Sequence, residues 1–238
     1  MRTFGLIGKS LEYSFSSKYF KEKFLKEKIT DAQYLNFELK DISEFKLLIE
    51  ENKLSGLNVT IPYKKKIIPF LDELSNESKE IGAVNSIRFI NGKLIGYNTD
   101  YLGFKKSIEP ILKGRKKAIV LGDGGAAKAV KYALDKLGIE HKTANRNTLF
   151  DYIDITEEIT GYYNVIINTT PEGSYPNPSG FPKIPYEYLN ENYLLFDLIY
   201  NPIETKFLAY GKARNTQTKS GLEMLQIQAE ESWKIWNL

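Results

Sequence analysis

Cysteine is absent from this sequence of 238 residues. That removes disulfides, thiolate nucleophiles and zinc–thiolate sites together. Histidine is nearly absent: His141 stands alone, so no histidine cluster can ligate a metal, and a Ser-His-Asp arrangement would have to recruit this one residue. Its setting, GIEHKTAN (138–145), follows a predicted helix and enters a predicted strand, where a structural or surface role is the plainer reading. Proton transfer therefore falls to Lys, Tyr, Asp or Glu. No carboxylate cluster has metal-ligand spacing, so no metal is expected. Charge of one sign is lacking too. The 33 basic and 30 acidic residues are interspersed and form no stripe that would follow a phosphate backbone, so nucleic acid is not an expected partner. No apolar run approaches a membrane span, and the opening MRTFGLIG has no extended hydrophobic region or small-residue cleavage site. The expectation is a soluble, cytoplasmic protein.

What is present is a 42% hydrophobic chain, ample for a packed core, with a βαβ rhythm. Strands are predicted at 3–8, 32–39 and 56–61, and helices at 16–29 and 41–53, the first with Tyr19, Phe20, Phe24 and Leu25 on one stripe. A further helix is predicted to open at Pro62. Asn91-Gly92 marks a hairpin within 85–98, and a helix over 101–112 leads to the polar KGRKK (113–117), a candidate boundary. The rhythm then restarts: strand 117–122, helix to Leu137, strand 140–145, helix near 150–160, strand 163–170, a loop over 171–185, strand 193–200 and helix 205–215. The last helix, 221–236, carries Leu222, Leu225, Ile227, Ala229, Trp233 and Trp236 to bury and could pack back on the first unit. Such alternation calls for parallel sheets covered by helices.

VLGDGGAAKAV places Gly122, Gly124 and Ala127 in G-x-G-x-x-A spacing between a strand and a helix. The first glycine permits the tight turn, the second lets backbone N–H groups approach a pyrophosphate, and the alanine allows close helix–strand packing. The next strand ends in Asn145-Arg146, where an NAD-binding unit commonly presents a carboxylate to the ribose. A guanidinium suits a 2′-phosphate instead, which argues for NADP, against the reading of a plain surface arginine.

NVTIPYKKK (58–66) raises a second question. Alternation puts Asn58 and Thr60 on one face and Val59 and Ile61 on the other, so polar side chains converge at a strand's carboxyl end. Lys64, in the first turn of the predicted helix, could reach the same crevice, where a cation opposes the helix dipole. The alternative is that Lys64, Lys65 and Lys66 form one solvated face. Asp100 or Thr99 could be no more than a helix N-cap, and SFSS (14–17) could do the same for the helix it precedes.

With these pieces in order, the chain resembles the shikimate dehydrogenase family along nearly its whole length. The matching motifs are Ser14-x-Ser16, N-V-T-x-P-x-K at 58–64, GAVNS at 82–86, GYNTD at 96–100, the glycine turn, NR at 145–146, NTTPEG at 168–173 and GLEMLQIQ at 221–228. The resemblance implies an N-terminal three-layer α/β substrate domain (1–100 plus 222–238) and a Rossmann-type, doubly wound NADP-binding domain (101–221). It implies reversible, NADPH-dependent reduction of 3-dehydroshikimate to shikimate in aromatic amino-acid biosynthesis, by a monomer or homodimer. By that similarity Ser14 and Ser16 bind the substrate carboxylate; Thr60, Lys64, Asn85, Asp100 and Gln228 hold the ring hydroxyls and reacting oxygen, with Tyr200 nearby. The resemblance makes Lys64 and Asp100 the catalytic pair. It also implies that Gly122, Asp123, Gly124, Gly125, Ala126, Ala127, Asn145, Arg146, Thr169, Leu198, Gly221 and Met224 line the cofactor site.

The chain departs from the family pattern at Tyr13, usually His, at Ser17, usually Pro, and at Asn147, the third position of N-R-T. Rivals to this reading are a quinate or dual-substrate dehydrogenase using NAD, and a non-catalytic NADPH-binding sensor.

Overall fold

The computed structural model describes residues 1–12, 14–145 and 150–238. They divide into two compact units, Met1–Asp100 with Gln228–Leu238, and Tyr101–Ile227.

The first unit contains β1 (Arg2–Gly8), α1 (Phe15–Lys26), β2 (Ala32–Glu38), α2 (Phe45–Glu51), β3 (Leu54–Val59), β4 (Glu73–Leu74), α3 (Asn76–Ile81), β5 (Ser86–Ile90) and β6 (Lys93–Tyr97). They form one mixed sheet in the order β2-β1-β3-β5-β6-β4. β1 runs parallel to both β2 and β3, and β5 and β6 form the antiparallel hairpin turned by Asn91 and Gly92, both at positive φ. Strand alternation gives each face its own core. Phe4 packs with Phe20, Phe24, Ala229 and Trp236 on one side, while Ile7, Leu57 and Val59 pack with Phe45, Leu48, Tyr63 and Ile67 on the other. Asn58 lies between Leu57 and Val59, and so faces the final helix.

The second unit follows with α4 (Asp100–Ile108), whose first residue belongs to the first unit, β7 (Lys117–Leu121), α5 (Gly125–Lys136), β8 (Glu140–Ala144), α6 (Glu157–Tyr162), β9 (Val165–Asn168), β10 (Leu194–Asp197), α7 (Lys206–Lys212), β11 (Gln217–Ser220) and the start of α8 (Leu222–Trp236), whose residues from Gln228 on belong to the first unit. Its five strands are all parallel, in the order β11-β10-β9-β7-β8. A sheet buried on both faces needs near-continuous apolar strands. KAIVL, VIIN and LLFD supply them, with Val120 and Ile167 in the core beneath α5 and Ile119 and Ile166 in the core beneath α7. The winding reverses between β7 and β9, the topological switch point at which open α/β sheets bind ligands.

Several expectations are corrected. Pro62 opens no helix: the chain turns through 61–67 into a 3₁₀ turn, Ile68–Phe70. Ile67 N–H reaches Tyr63 O, but the Lys64 carbonyl is taken by Val84 N–H at 2.8 Å, and Pro69 has no N–H to give Lys65, so the helical ladder cannot continue. The helix near 150–160 is split into a 3₁₀ turn, Tyr152–Asp154, and the short α6, because Asp151 and Thr156 each cap a separate start. β3 ends at Val59, and Ile61 is exposed, as is Leu25, which lies about 100° around α1 from Phe24. On α8 the buried positions are Met224, Gln228, Ala229, Ser232 and Trp236, with Leu222, Leu225, Ile227 and Trp233 only half-buried. β4, α3 and β11 were not foreseen. Among the described residues no helix is long and apolar enough to cross a membrane, and no group of three or more His, Cys, Asp or Glu gathers.

Candidate active site

In the first unit the turn after β3 aims Lys64. Thr60 N–H closes on Ile7 O, Tyr63 N–H closes on Thr60 O, and the buried Tyr63 donates its hydroxyl to Leu39 O at 2.5 Å. With the chain before it anchored and its own carbonyl held by Val84 N–H, Lys64 Nζ donates to Asp100 Oδ2 at 2.7 Å. The carboxylate side chain is 7% exposed and the lysine side chain 17%, so the pair is shielded from solvent. Asp100 Oδ1 accepts from Asn85 Nδ2 at 2.9 Å. Asn85 Oδ1 in turn accepts Thr99 N–H at 2.6 Å, and its Nδ2 lies 3.2 Å from Gln228 Oε1 on α8. Lys64, Asn85, Asp100 and Gln228 are thus joined directly by hydrogen bonds.

Ser14 and Ser16 stand at the start of α1. Ser14 is its N-cap, accepting Ser17 N–H at 3.4 Å. The Ser16 side chain hydrogen-bonds to Tyr34, and burial around that hydroxyl pushes the phenol above its ordinary range even though part of the ring is exposed. Thr60 packs against Gly8, where a Cβ would collide with its methyl group. Tyr34, Asn58, Thr99 and Ser232 also belong to this polar interior and were not among the expected site residues. For Asn58 the signal was strand alternation. For Ser232 it was the spacing of four from Gln228, which puts a second polar residue on the buried side of a helix.

In the second unit the expected cofactor residues follow strands of one sheet at their carboxyl ends: Gly122 after β7, Asn145 after β8, Thr169 after β9, Leu198 after β10 and Gly221 after β11. Gly122 has φ +99°, a conformation that favours glycine, and a Cβ there would crowd Thr169 and Thr170. Thr169 donates its hydroxyl to Leu121 O at 2.6 Å, and Leu198 N–H bonds Asn168 O. A Cβ on Gly221 would collide with the Leu198 carbonyl. Met224 is buried in the core, and Tyr200 is half-buried three residues after β10. Asp123 pairs with Lys131 at 2.7 Å. Arg146, like Tyr13 and Asn147, lies outside the described residues.

The glycine turn suits a dinucleotide phosphate. Gly124 caps α5 without any side-chain cap bond, and nothing lies within 4 Å of where its Cβ would be. The first N–H groups of a helix have no intrahelical partner and carry partial positive charge. Open space and uncapped donors together fit an anion. Beneath this rim, Asp197 is fully buried and its carboxyl is pushed up to about 6 by burial, against hydrogen bonds from Thr205, Ile199 N–H and Asn168.

The description "Shikimate dehydrogenase substrate binding domain" matches residues 6–87. A shikimate dehydrogenase (NADP(+)) of Clostridium beijerinckii is 40% identical over 99% of this chain and 92% of its own. Among solved structures, shikimate dehydrogenase 1 of Peptoclostridium difficile aligns with TM-score 0.89 and 38% identity, covering 100% of this chain and 92% of the other. The Thermus thermophilus shikimate 5-dehydrogenase, in complex with NADP(H) and shikimate, aligns with TM-score 0.87 and 28% identity over 99% and 93%. Identity at this level over nearly the full length is not a likeness of fold alone: the chain belongs to the shikimate dehydrogenase family.

Proposed function

We propose that the chain interconverts 3-dehydroshikimate and shikimate with NADP as the redox partner, a step of aromatic amino-acid biosynthesis. The observation that carries this reading is the shielded Lys64–Asp100 pair, 2.7 Å apart and bonded to Asn85, itself within reach of Gln228. A ketone that accepts hydride becomes an alkoxide, which needs a positioned proton donor and a favourable electrostatic setting. When bound, the nicotinamide supplies the hydride chemistry. Lys64 Nζ gives its proton to the nascent alkoxide and takes it back in the reverse direction. Asp100 keeps both oxygens committed as acceptors, one to Lys64 Nζ and one to Asn85 Nδ2, so it orients the ammonium.

Ser14 and Ser16 bind the substrate carboxylate, while Thr60, Asn85 and Gln228 pair with ring hydroxyls, each of which needs a partner once water is excluded. Tyr200 completes the substrate's surroundings. Gly122 to Ala127 receive the pyrophosphate, Asn145 and Arg146 the adenosine ribose and its 2′-phosphate, and Thr169, Leu198, Gly221 and Met224 the nicotinamide half. In this reading Met1–Asp100 with the end of α8 is the substrate unit and Tyr101–Ile227 the cofactor unit. Each chain carries both sets of groups, so a monomer or homodimer in the cytoplasm serves equally, with no nucleic acid or membrane involved.

The test is absorbance at 340 nm with shikimate and NADP, run beside quinate and NAD. Reduction of NADP by shikimate with the highest kcat/KM of the four combinations supports the reading. A protein that binds NADPH and turns over neither alcohol overturns it.

A further inference from the structure

Behind the Lys64–Asp100 pair lies a line of buried hydrogen bonds whose direction can be worked out. Two backbone groups fix it. Asn85 O can only accept, so the Asn58 amide must turn Nδ2 toward it, at 3.1 Å. Thr99 N–H can only donate, so Asn85 must turn Oδ1 toward it, leaving Nδ2 to face Asp100. With Asn58 so oriented, its Oδ1 accepts from the Tyr34 hydroxyl at 2.8 Å, and its second amide hydrogen goes to Ser232 Oγ at 3.0 Å. Ser232 Oγ and Thr99 Oγ1 are 3.1 Å apart and either could donate. Among the described residues the Ser232 hydrogen has no other acceptor, whereas the Thr99 hydrogen can go to Asn85 Oδ1 at 3.3 Å or Gln228 Oε1 at 3.4 Å, so Ser232 donates to Thr99. The line therefore runs one way, from Tyr34 through Asn58 and Ser232 to Thr99.

Its end decides how Asn85 is used. Asn85 Nδ2 carries two hydrogens but faces three acceptors: Thr99 Oγ1 at 2.9 Å, Asp100 Oδ1 at 2.9 Å and Gln228 Oε1 at 3.2 Å. A Thr99 oxygen already receiving the Ser232 hydrogen is a weaker competitor for them. Asn58, Thr99 and Ser232 are all buried, Thr99 and Ser232 fully, so water cannot supply the missing donor.

We propose that Ser232 is a positioning residue: by donating to Thr99 it directs the Asn85 amide hydrogens to Asp100 and Gln228, and so holds the catalytic carboxylate and the substrate-facing amide in register. This role rests on the reading under Proposed function. Removing the hydroxyl opens Thr99 to Asn85, drawing Asn85 off Asp100 and Gln228.

The test is Ser232→Ala assayed with shikimate and NADP. A fall of roughly tenfold in kcat/KM is expected, divided between a lower kcat and a higher KM for shikimate, with the KM for NADP unchanged. Trp236→Phe, one turn on in the same helix, removes core packing but no hydrogen bond of the line, keeps an aromatic ring beside Tyr34, and should lower Tm while leaving both KM values alone. Ser232→Thr restores the hydroxyl with an extra methyl in a tight site, so it should recover turnover while Tm drops. A folded Ser232→Ala enzyme with wild-type kcat and KM overturns the proposal, as does a loss matched by Trp236→Phe. If Ser232→Ala does not fold, Tyr34→Phe removes the first donor of the same line, and because it also removes the partner of Ser16 it is read on the Asn85 side-chain amide resonances: their displacement supports the proposal and their constancy overturns it. If the wild-type protein does not turn over, the functional reading has failed, and the inference is judged on the Asn85 side-chain amide resonances. Their displacement in Ser232→Ala supports it, and their constancy sinks it.

Discussion

Around Lys64 in the first unit, side chains satisfy one another, whereas the start of α5 in the second unit carries no side-chain cap. Buried polar groups are costly unless paired, so the first arrangement is a preformed cluster that must hold its geometry before any ligand arrives. Exposed helix N–H groups can be left to solvent and given to an anion later. The two units thus take different routes to binding: one by fixing side chains, the other by leaving backbone bare. The difference is sharp enough to test residue by residue.

Lys64→Ala should have the largest effect. General acid–base catalysis commonly contributes up to about 10⁴-fold, so kcat should fall by roughly 10³-fold or more. The buried Asp100 loses its counter-charge as well, which costs stability, so thermal unfolding should be followed alongside the 340 nm assay. NADP binding, measured by titration, should be unchanged. If cofactor affinity and turnover fell together, the separation between the two units would be wrong.

The buried Asp197 provides the next largest effect and inverts the pattern of the first unit: a carboxyl surrounded by donors yet pushed up to about 6 by burial. Its folded value lies above the ordinary 3.8, so between these two values the native state binds more protons than the unfolded chain. Stability should therefore fall as pH rises from about 4 to above 6, by at most about 3 kcal/mol. In Asp197→Asn, which still accepts from Ile199 N–H and Asn168, denaturant unfolding should lose most of that slope. A slope unchanged by the substitution would show that Asp197 is not its source.

Gly124 sharpens the comparison from the other side. A Cβ there has nothing of the protein within 4 Å, and its φ of −76° suits any residue. Gly124→Val should therefore leave Tm nearly unchanged while raising the KM for NADP roughly tenfold, because the space it fills is the space a pyrophosphate needs. The KM for shikimate should not move. A fall in Tm with the KM for NADP unaltered would mean that the turn is structural only.

Legibility in the sequence divided along the same line. The second unit's parallel sheet was readable because strands buried on both faces are written as apolar runs, and a glycine turn between strand and helix has its own spacing. In the first unit the segment after Pro62 was misread because proline at a first helical position is a local signal, whereas Val84 taking the Lys64 carbonyl is a tertiary event. The argument that a helix dipole opposes Lys64 falls with that helix. The same blindness hid Ser232 and Thr99: each is an ordinary polar residue until the fold brings strand, turn and last helix together.

The smallest effect concerns the other two lysines of the run. Lys65 and Lys66 are exposed while Lys64 is not, and the turn replacing the expected helix is what separates them. Val84 N–H on the Lys64 carbonyl and the buried Tyr63 ring fix the chain just before Lys65, so Lys64 points inward and its neighbours outward. Exposed charges in weakly paired positions contribute little, so Lys65→Ala and Lys66→Ala should each change unfolding free energy by less than about 0.5 kcal/mol. Turnover in both should stay close to wild type. Were Lys66→Ala to match Lys64→Ala in the same assay, the three lysines would be acting as one charged face, and the distinction between a preformed cluster and a solvated rim would have to be redrawn.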